Sequence, residues 1–326
     1  MEIQKRKIEF YVVRSFGDKF TATFDFVSEN WKPLLKCITY LLLPLCLFQG
    51  YFMNNFMGKV MGMADNAYSD SAYLAIGISY IVFALLLAVG SVVLFSIVYT
   101  LMKLYGEREN RLQDLGWSEF RPAVLHGMKR MLVVVGVSLA LMLIVLAVMV
   151  LLAWFSGYTL IVTYPAYIAF AVPMALLPPI YLMEDDITIV DAVEKTFRLG
   201  FHTWGGIFAI FLVIGIIAYM MVGIVSVPWG ICLGVKSILV TTNDASEEFT
   251  ASAGYEFIMY LLSILQSFGI YVAYSVLVVA IGYQYGHAAE KIDGVSVEKD
   301  IDHFDEMADD NVDDFDVNFL NAVSVA

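Results

Sequence analysis

Six apolar runs dominate the chain, at approximately residues 34–57, 73–102, 131–154, 158–183, 205–235 and 257–285. A helix needs about 20 residues to cross a hydrocarbon core of ~30 Å, and each run is that long. None shows the alternation of apolar and polar residues that a spanning strand requires, which favours helices over a transmembrane barrel. Charged residues make up 16% of the chain and hydrophobic ones 60%, whereas soluble domains carry about 25% charged residues. The expected fold class is therefore an all-α integral membrane protein with six transmembrane helices. An even number of crossings puts both termini on one side.

Basic residues choose the side. Of 19 lysines and arginines, only Lys59 and Lys236 lie in the connections that would face outward. The others fall before residue 37, between the second and third runs, between the fourth and fifth, and after the sixth. The positive-inside rule then places both termini in the cytoplasm. The first 30 residues lack a short apolar core followed by a small-residue cleavage site, so the first span itself is expected to drive insertion. Cys37, Cys46 and Cys232 lie in or beside apolar runs at unrelated spacings, which reads as free thiols rather than disulfides or a zinc site.

Between the fourth and fifth runs the pattern changes to a helical period. Thr188 can cap a helix with Asp191 three residues on. Val190, Val193, Phe197, Phe201 and Trp204 then recur at helical offsets, leaving Asp191, Glu194, Lys195, Arg198 and His202 on another face. Such a helix suits the plane of the membrane interface, with Trp204 at headgroup depth. The first span has the same prelude: Val13, Phe16, Phe20, Phe24 and Val27 lead to Trp31, and "TFDFVSENW" from Thr23 aligns with "TFRLGFHTW" from Thr196. Trp117, Phe120, Val124, Met128 and Met131 repeat the offsets before the third span. The expected architecture is thus three hairpins, each preceded by a cytoplasmic amphipathic helix. The corresponding parts are an N-terminal segment 1–32, a membrane domain 33–289 and an acidic, disordered tail 290–326. The preludes read either as packing elements or as surfaces that recognise lipid headgroups or a partner.

The fourth run, "YPAYIAFAVPMALLPPIYL", carries Pro165, Pro173, Pro178 and Pro179. Each removes an amide donor and can kink a helix. Broken spans are where transporters build sites from freed carbonyls, although proline is also common in membrane helices generally. Glu184, Asp185 and Asp186 follow. Two of these carboxylates with outside help could hold Mg²⁺ or Ca²⁺, but acids at a helix start also satisfy its dipole.

The centres of the six runs hold no ionisable residue, which argues against a proton-coupled carrier. His126, His202, His287 and His303 are isolated, no nucleophile elbow or phosphate loop occurs, and no cofactor or catalytic residue is implied. Gly58 and Gly62 read as sites of close helix packing. The tail holds twelve acids and two bases from Glu290 onward, too polar for a core. Its Phe304, Phe315, Phe319 and Leu320 could form a short motif for a basic partner, while nucleic acid is excluded as a partner by charge.

The proline-terminated fourth run, the acidic turn, "A-x-x-x-T-F-x-L" and the tryptophan that opens the fifth run also carry a family resemblance. Pro178, Pro179, Glu184, Asp185, Ala192, Thr196, Phe197, Leu199 and Trp204 carry it. The pattern resembles bacterial six-span proteins similar to the membrane domain attached to some glycerophosphoryl diester phosphodiesterases, over residues 10–289. No segment resembles the metal-binding His and Glu motifs of the catalytic domain, so no enzymatic activity carries over. The resemblance implies a membrane module in a bacterial cytoplasmic (inner) membrane. The expected role is a non-enzymatic scaffold or assembly module, with a transporter or lipid-handling protein as the alternative. Membrane lipids, a protein that binds the tail and a second copy of the chain are the partners considered. The residues singled out for ligand or interface contact are Pro173, Pro178, Pro179, Glu184, Asp185, Asp186, Arg198, Trp204 and Trp31.

Overall fold

A computed structural model describes residues 7–62, 70–240 and 249–296. Secondary structure among these residues is helical throughout: α1 (Phe16–Gly62), α2 (Asp70–Glu107), α3 (Trp117–Phe155), a 3₁₀ turn (Gly157–Thr159), α4 (Leu160–Met174), α5 (Leu177–Met183), α6 (Ile189–His202), α7 (Trp204–Val240) and α8 (Ala253–Asp293). Six segments are long and apolar enough to cross a membrane, with α4 and α5 together making the fourth. The acidic motif residues Phe304, Phe315, Phe319 and Leu320, and His303, lie outside the described residues.

α8 is the central post. From Tyr271 to Ala289 nearly every side chain is buried, because α1 and α7 pack along it and α2 closes on α1. At 41 residues it is ~60 Å long, about twice the hydrocarbon thickness. The helix ends at Asp293, with Gly294 in the left-handed cap position at φ 64°. The first residues expected in the tail therefore belong to the bundle. Residues 7–15 lie across this end of α8. The Phe10 carbonyl sits where a Cβ on Gly286 would come within 2.4 Å of it, so only glycine lets this strap pass. The Arg14 amide donates to His287 Nδ1 at 3.0 Å and the Phe10 ring packs on Tyr283 and Tyr285.

The aligned preludes fold alike. Ser15 and Asp18 close a cap at the start of α1, and Thr188 and Asp191 close one at the start of α6. Each helix then breaks one residue before its tryptophan. Asn30 has φ −111°, ψ 20°, and Thr203 has φ −117°, ψ 20°. Both side chains donate back to the carbonyl four residues earlier, Phe26 and Leu199, each at 2.9 Å; such back-bonds favour a bend. The buried faces also match: Lys19, Thr23, Phe26 and Asn30 against Ala192, Thr196, Leu199 and Thr203. The aromatic stripe is not the buried one. Val13, Phe16, Val190 and Phe201 are exposed.

The third prelude differs. α3 has no break, its cap position is Gly116 with no side-chain bond, and Phe120, Val124 and Met131 point into the core. The third prelude thus shares the period of the other two without their side-chain cap or their bend. Gly58 meets nothing within 4 Å, so close packing falls at other glycines. Cys37 and Cys46 are free and buried, and Cys232 is free and half-buried.

Candidate functional site

The fourth span is broken, and the break is filled. Pro173 has no amide hydrogen, so the Ala169 carbonyl loses its helical donor. Trp204 supplies one: its indole Nε1 donates to the Ala169 oxygen at 3.1 Å. Gly200 makes this approach possible, since a Cβ there would lie 2.5 Å from the Pro173 Cβ. Beyond Met174 the chain tightens into 3₁₀ bonds, Ala175 to Val172 at 3.2 Å and Leu176 to Pro173 at 3.0 Å. Pro178 and Pro179 then fall in the first turn of α5, where a missing amide costs no hydrogen bond. Met174, Leu176, Leu177, Pro178, Pro179 and Ile180 are all buried.

Arg130 of α3 closes the other end of α5. Its Nε donates to the Tyr181 carbonyl, Nη2 to Glu184 and Nη1 to Asp185, each at 2.7 Å, while the guanidinium lies 4.0 Å from the centre of the Tyr181 ring. A planar fork matches three diverging carbonyls better than an ammonium would, and a cation is favoured at a helix C-terminus.

This capping aims the acidic turn. Glu184 accepts from Lys195 Nζ at 2.7 Å and from the Tyr285 hydroxyl. Asp185 pairs with Lys103 of α2. Arg198 forks onto Asp293 at 2.6 and 3.1 Å, and Lys195 reaches the same carboxylate at 3.6 Å. α2, α3, α6 and α8 are thereby tied to one turn. On the strap beside it, burial pushes the Tyr11 phenol up; its bond with Tyr285 opposes this and the nearby Glu184 charge reinforces it.

Of the residues singled out from the sequence, Trp204 takes up the carbonyl that Pro173 frees, Pro178 and Pro179 start α5, and Glu184, Asp185 and Arg198 join one ionic network. Asp186 is exposed on the turn. Trp31 is 53% exposed and lies beside its neighbour Lys32. Sequence reasoning missed Arg130, Tyr285, Lys103 and Asp293, which lie 54 to 109 residues from the turn or in the expected tail. Only the position of Lys195 and Arg198 on the polar face of α6 hinted at the arrangement.

Chemically the site is a lock. Its carboxylates are matched by cations, and no group of three His, Cys, Asp or Glu side chains among the described residues is placed to hold a metal ion. Away from it, Lys59 and Lys236, the two basic residues that break the charge bias, line one cavity of about 410 Å³ with Asn54 and Glu256. Lys59 bonds Ser79 at 2.7 Å and Lys236 approaches Glu256 at 3.5 Å.

Fold and site together define an all-helical, multi-pass membrane protein whose proline-broken span is clamped by an ionic network. No protein family, curated protein or solved structure matches the chain.

Proposed function

We propose that this protein is a non-enzymatic scaffold or assembly module of the cytoplasmic membrane, of the kind its resemblance to bacterial six-span proteins implies. Its termini, its ionic network and α6 face the cytoplasm. The observation that carries this reading is the filled break at Pro173. The freed carbonyl, the proline pair and the acidic turn are all occupied by Trp204, Arg130, Lys103, Lys195 and Tyr285. A joint so occupied fixes helix positions, and the same packing weighs against a carrier site there.

The separate α6 and the first part of α1 are the interfacial helices. Their exposed apolar side chains, Val190 with Phe201 on α6 and Phe16 on α1, meet the acyl boundary, with Val13 beside them on the strap, while the breaks at Thr203 and Asn30 turn the chain into the bilayer. The α3–α4 hairpin exposes apolar side chains along most of its length, ending in Trp154, Phe155 and Tyr158. Lipid, a partner or a second copy covers that surface, and the acidic tail offers a second contact.

Sidedness is tested by labelling Asp65→Cys, Ser246→Cys and Asn110→Cys in intact cells of a cysteine-free background. The first two react from outside, and the third only after lysis. Function is tested by cross-linking in membranes, with the full chain compared against one ending at Ser296, which keeps Asp293 and the cap of α8. The scaffold reading predicts a defined partner that the shorter chain loses. A chain that captures nothing and speeds solute flux across reconstituted vesicles refutes it.

A further inference from the structure

A second feature lies where α1 enters the bundle beyond its break at Asn30. Here α1 and the start of α3 enclose a groove of about 720 Å³. Lys32 and Lys36, one helical turn apart, form its rim, and Tyr40, Trp117 and Phe120 contribute its wall. The rings are continuous: Tyr40 to Trp117 at 6.2 Å and Trp117 to Phe120 at 5.8 Å between centroids. Neither lysine has a carboxylate within ion-pair distance among the described residues, unlike Lys103, Lys195 and Arg198 at the lock. Lys32 lies 5.8 Å from the Trp31 ring centre. Asp114 also lines the groove, leaving one unit of positive charge in excess.

Depth decides what can fill such a groove. The apolar run opens at residue 34, so Lys32 precedes it and Lys36 sits inside it, with a stem long enough to carry its ammonium back to the polar layer. Tyr40 is one turn deeper. Charge therefore sits at the headgroup layer with Tyr40 below it, while Trp117 and Phe120, ahead of the third apolar run at residue 131, carry the wall up to that layer. A free phosphate would satisfy the lysines and leave the wall uncovered. A zwitterionic lipid would cover the wall while adding no net charge against the excess cation.

We propose that this groove binds one anionic phospholipid, its phosphodiester between Lys32 and Lys36 and an acyl chain along Tyr40, Trp117 and Phe120. This rests on the reading that the chain sits in a bilayer with its basic end at the cytoplasmic leaflet. The bound lipid would fasten the first span to the start of the third, which the ionic network does not join.

The test is native mass spectrometry of the full chain in detergent, given equal amounts of phosphatidylglycerol and phosphatidylcholine. The first bound lipid is phosphatidylglycerol, preferred about ten-fold, the scale of basic side chains at an anionic surface. Lys32→Gln with Lys36→Gln reduces that preference to below about two-fold. Lys129→Gln, on the same basic end but outside the groove, keeps it. Millimolar inorganic phosphate leaves the lipid in place. Equal retention of both lipids by the unmodified chain, full selectivity in the double variant, or displacement by inorganic phosphate overturns the proposal. Extraction of the chain from membranes by alkaline carbonate is the separate result that would overturn the bilayer reading. A chain that resists extraction yet selects no lipid refutes the groove alone.

Discussion

Arg130 offers the sharpest test of the lock. Replacing it with glutamine removes three donors from the carbonyls of Tyr181, Glu184 and Asp185, together with the contact to the Tyr181 ring. Two of the bonds are partly buried and the third is exposed. Hydrogen bonds to charged groups contribute ~1.5–3 kcal/mol, so the low end suits the partly buried pair, with only a few tenths for the exposed one. The ring contact adds ~0.5 kcal/mol. Together these approach about 4 kcal/mol, and water reaching the vacated carbonyls returns part of it, leaving a loss of ~3 kcal/mol. At about 2 °C per kcal/mol for a chain of this size, Tm falls by ~6 °C. Thermal unfolding in detergent measures it, and hydrogen exchange should rise around residues 180–188 while α1 is unchanged. Arg130→Lys keeps the charge but not the fork, and should lose about two-thirds as much. A fall below ~2 °C for Arg130→Gln, or a lysine variant as stable as the unmodified protein, refutes the view that planar capping of α5 holds the turn.

Two further predictions concern the joint at Pro173. Gly200→Val drives side-chain atoms toward the Pro173 ring and backbone, where even a Cβ would come within 2.5 Å of the ring and 2.8 Å of the Cα; overpacking of this kind costs ~1–3 kcal/mol, read as lower Tm and poorer monodispersity on size exclusion. Trp204→Phe should lose ~1 kcal/mol or more by stranding the Ala169 carbonyl. In a Pro173→Ala background, where residue 173 regains its own amide donor, that cost should shrink. A double-mutant cycle with no coupling would remove the indole from this role.

How much could be read beforehand varied by element. The Thr188 cap, the short helix behind it and the break at Pro173 follow from local rules, since capping and proline chemistry act within one turn of chain. The matched breaks at Asn30 and Thr203 were foreshadowed by the aligned text around Trp31 and Trp204. The buried face of α6 was not. The eye goes to Phe197 and Phe201, yet Ala192, Thr196, Leu199 and Gly200 are what packs inward. Small residues on that face permit close helix approach, as Gly200 does against Pro173. The stripe at Phe120 and Val124 has the same period and is buried, so periodicity locates a face and leaves its neighbour open.

By itself the sequence determined what is set by solvent and by local chain chemistry: six helical crossings, the basic bias toward one end, the capped α6 and the proline break. The tertiary structure decided which distant groups answer those local demands. Trp204 meets the Ala169 carbonyl, Arg130 caps α5, Asp293 holds Arg198, and Lys32 and Lys36 are left at a groove with no carboxylate within ion-pair distance among the described residues. The physical reason is that a missing amide or a lone cation states a need within a few residues. The partner that meets it is chosen by how helices pack, and contacts between elements far apart in the chain leave no periodic trace along it.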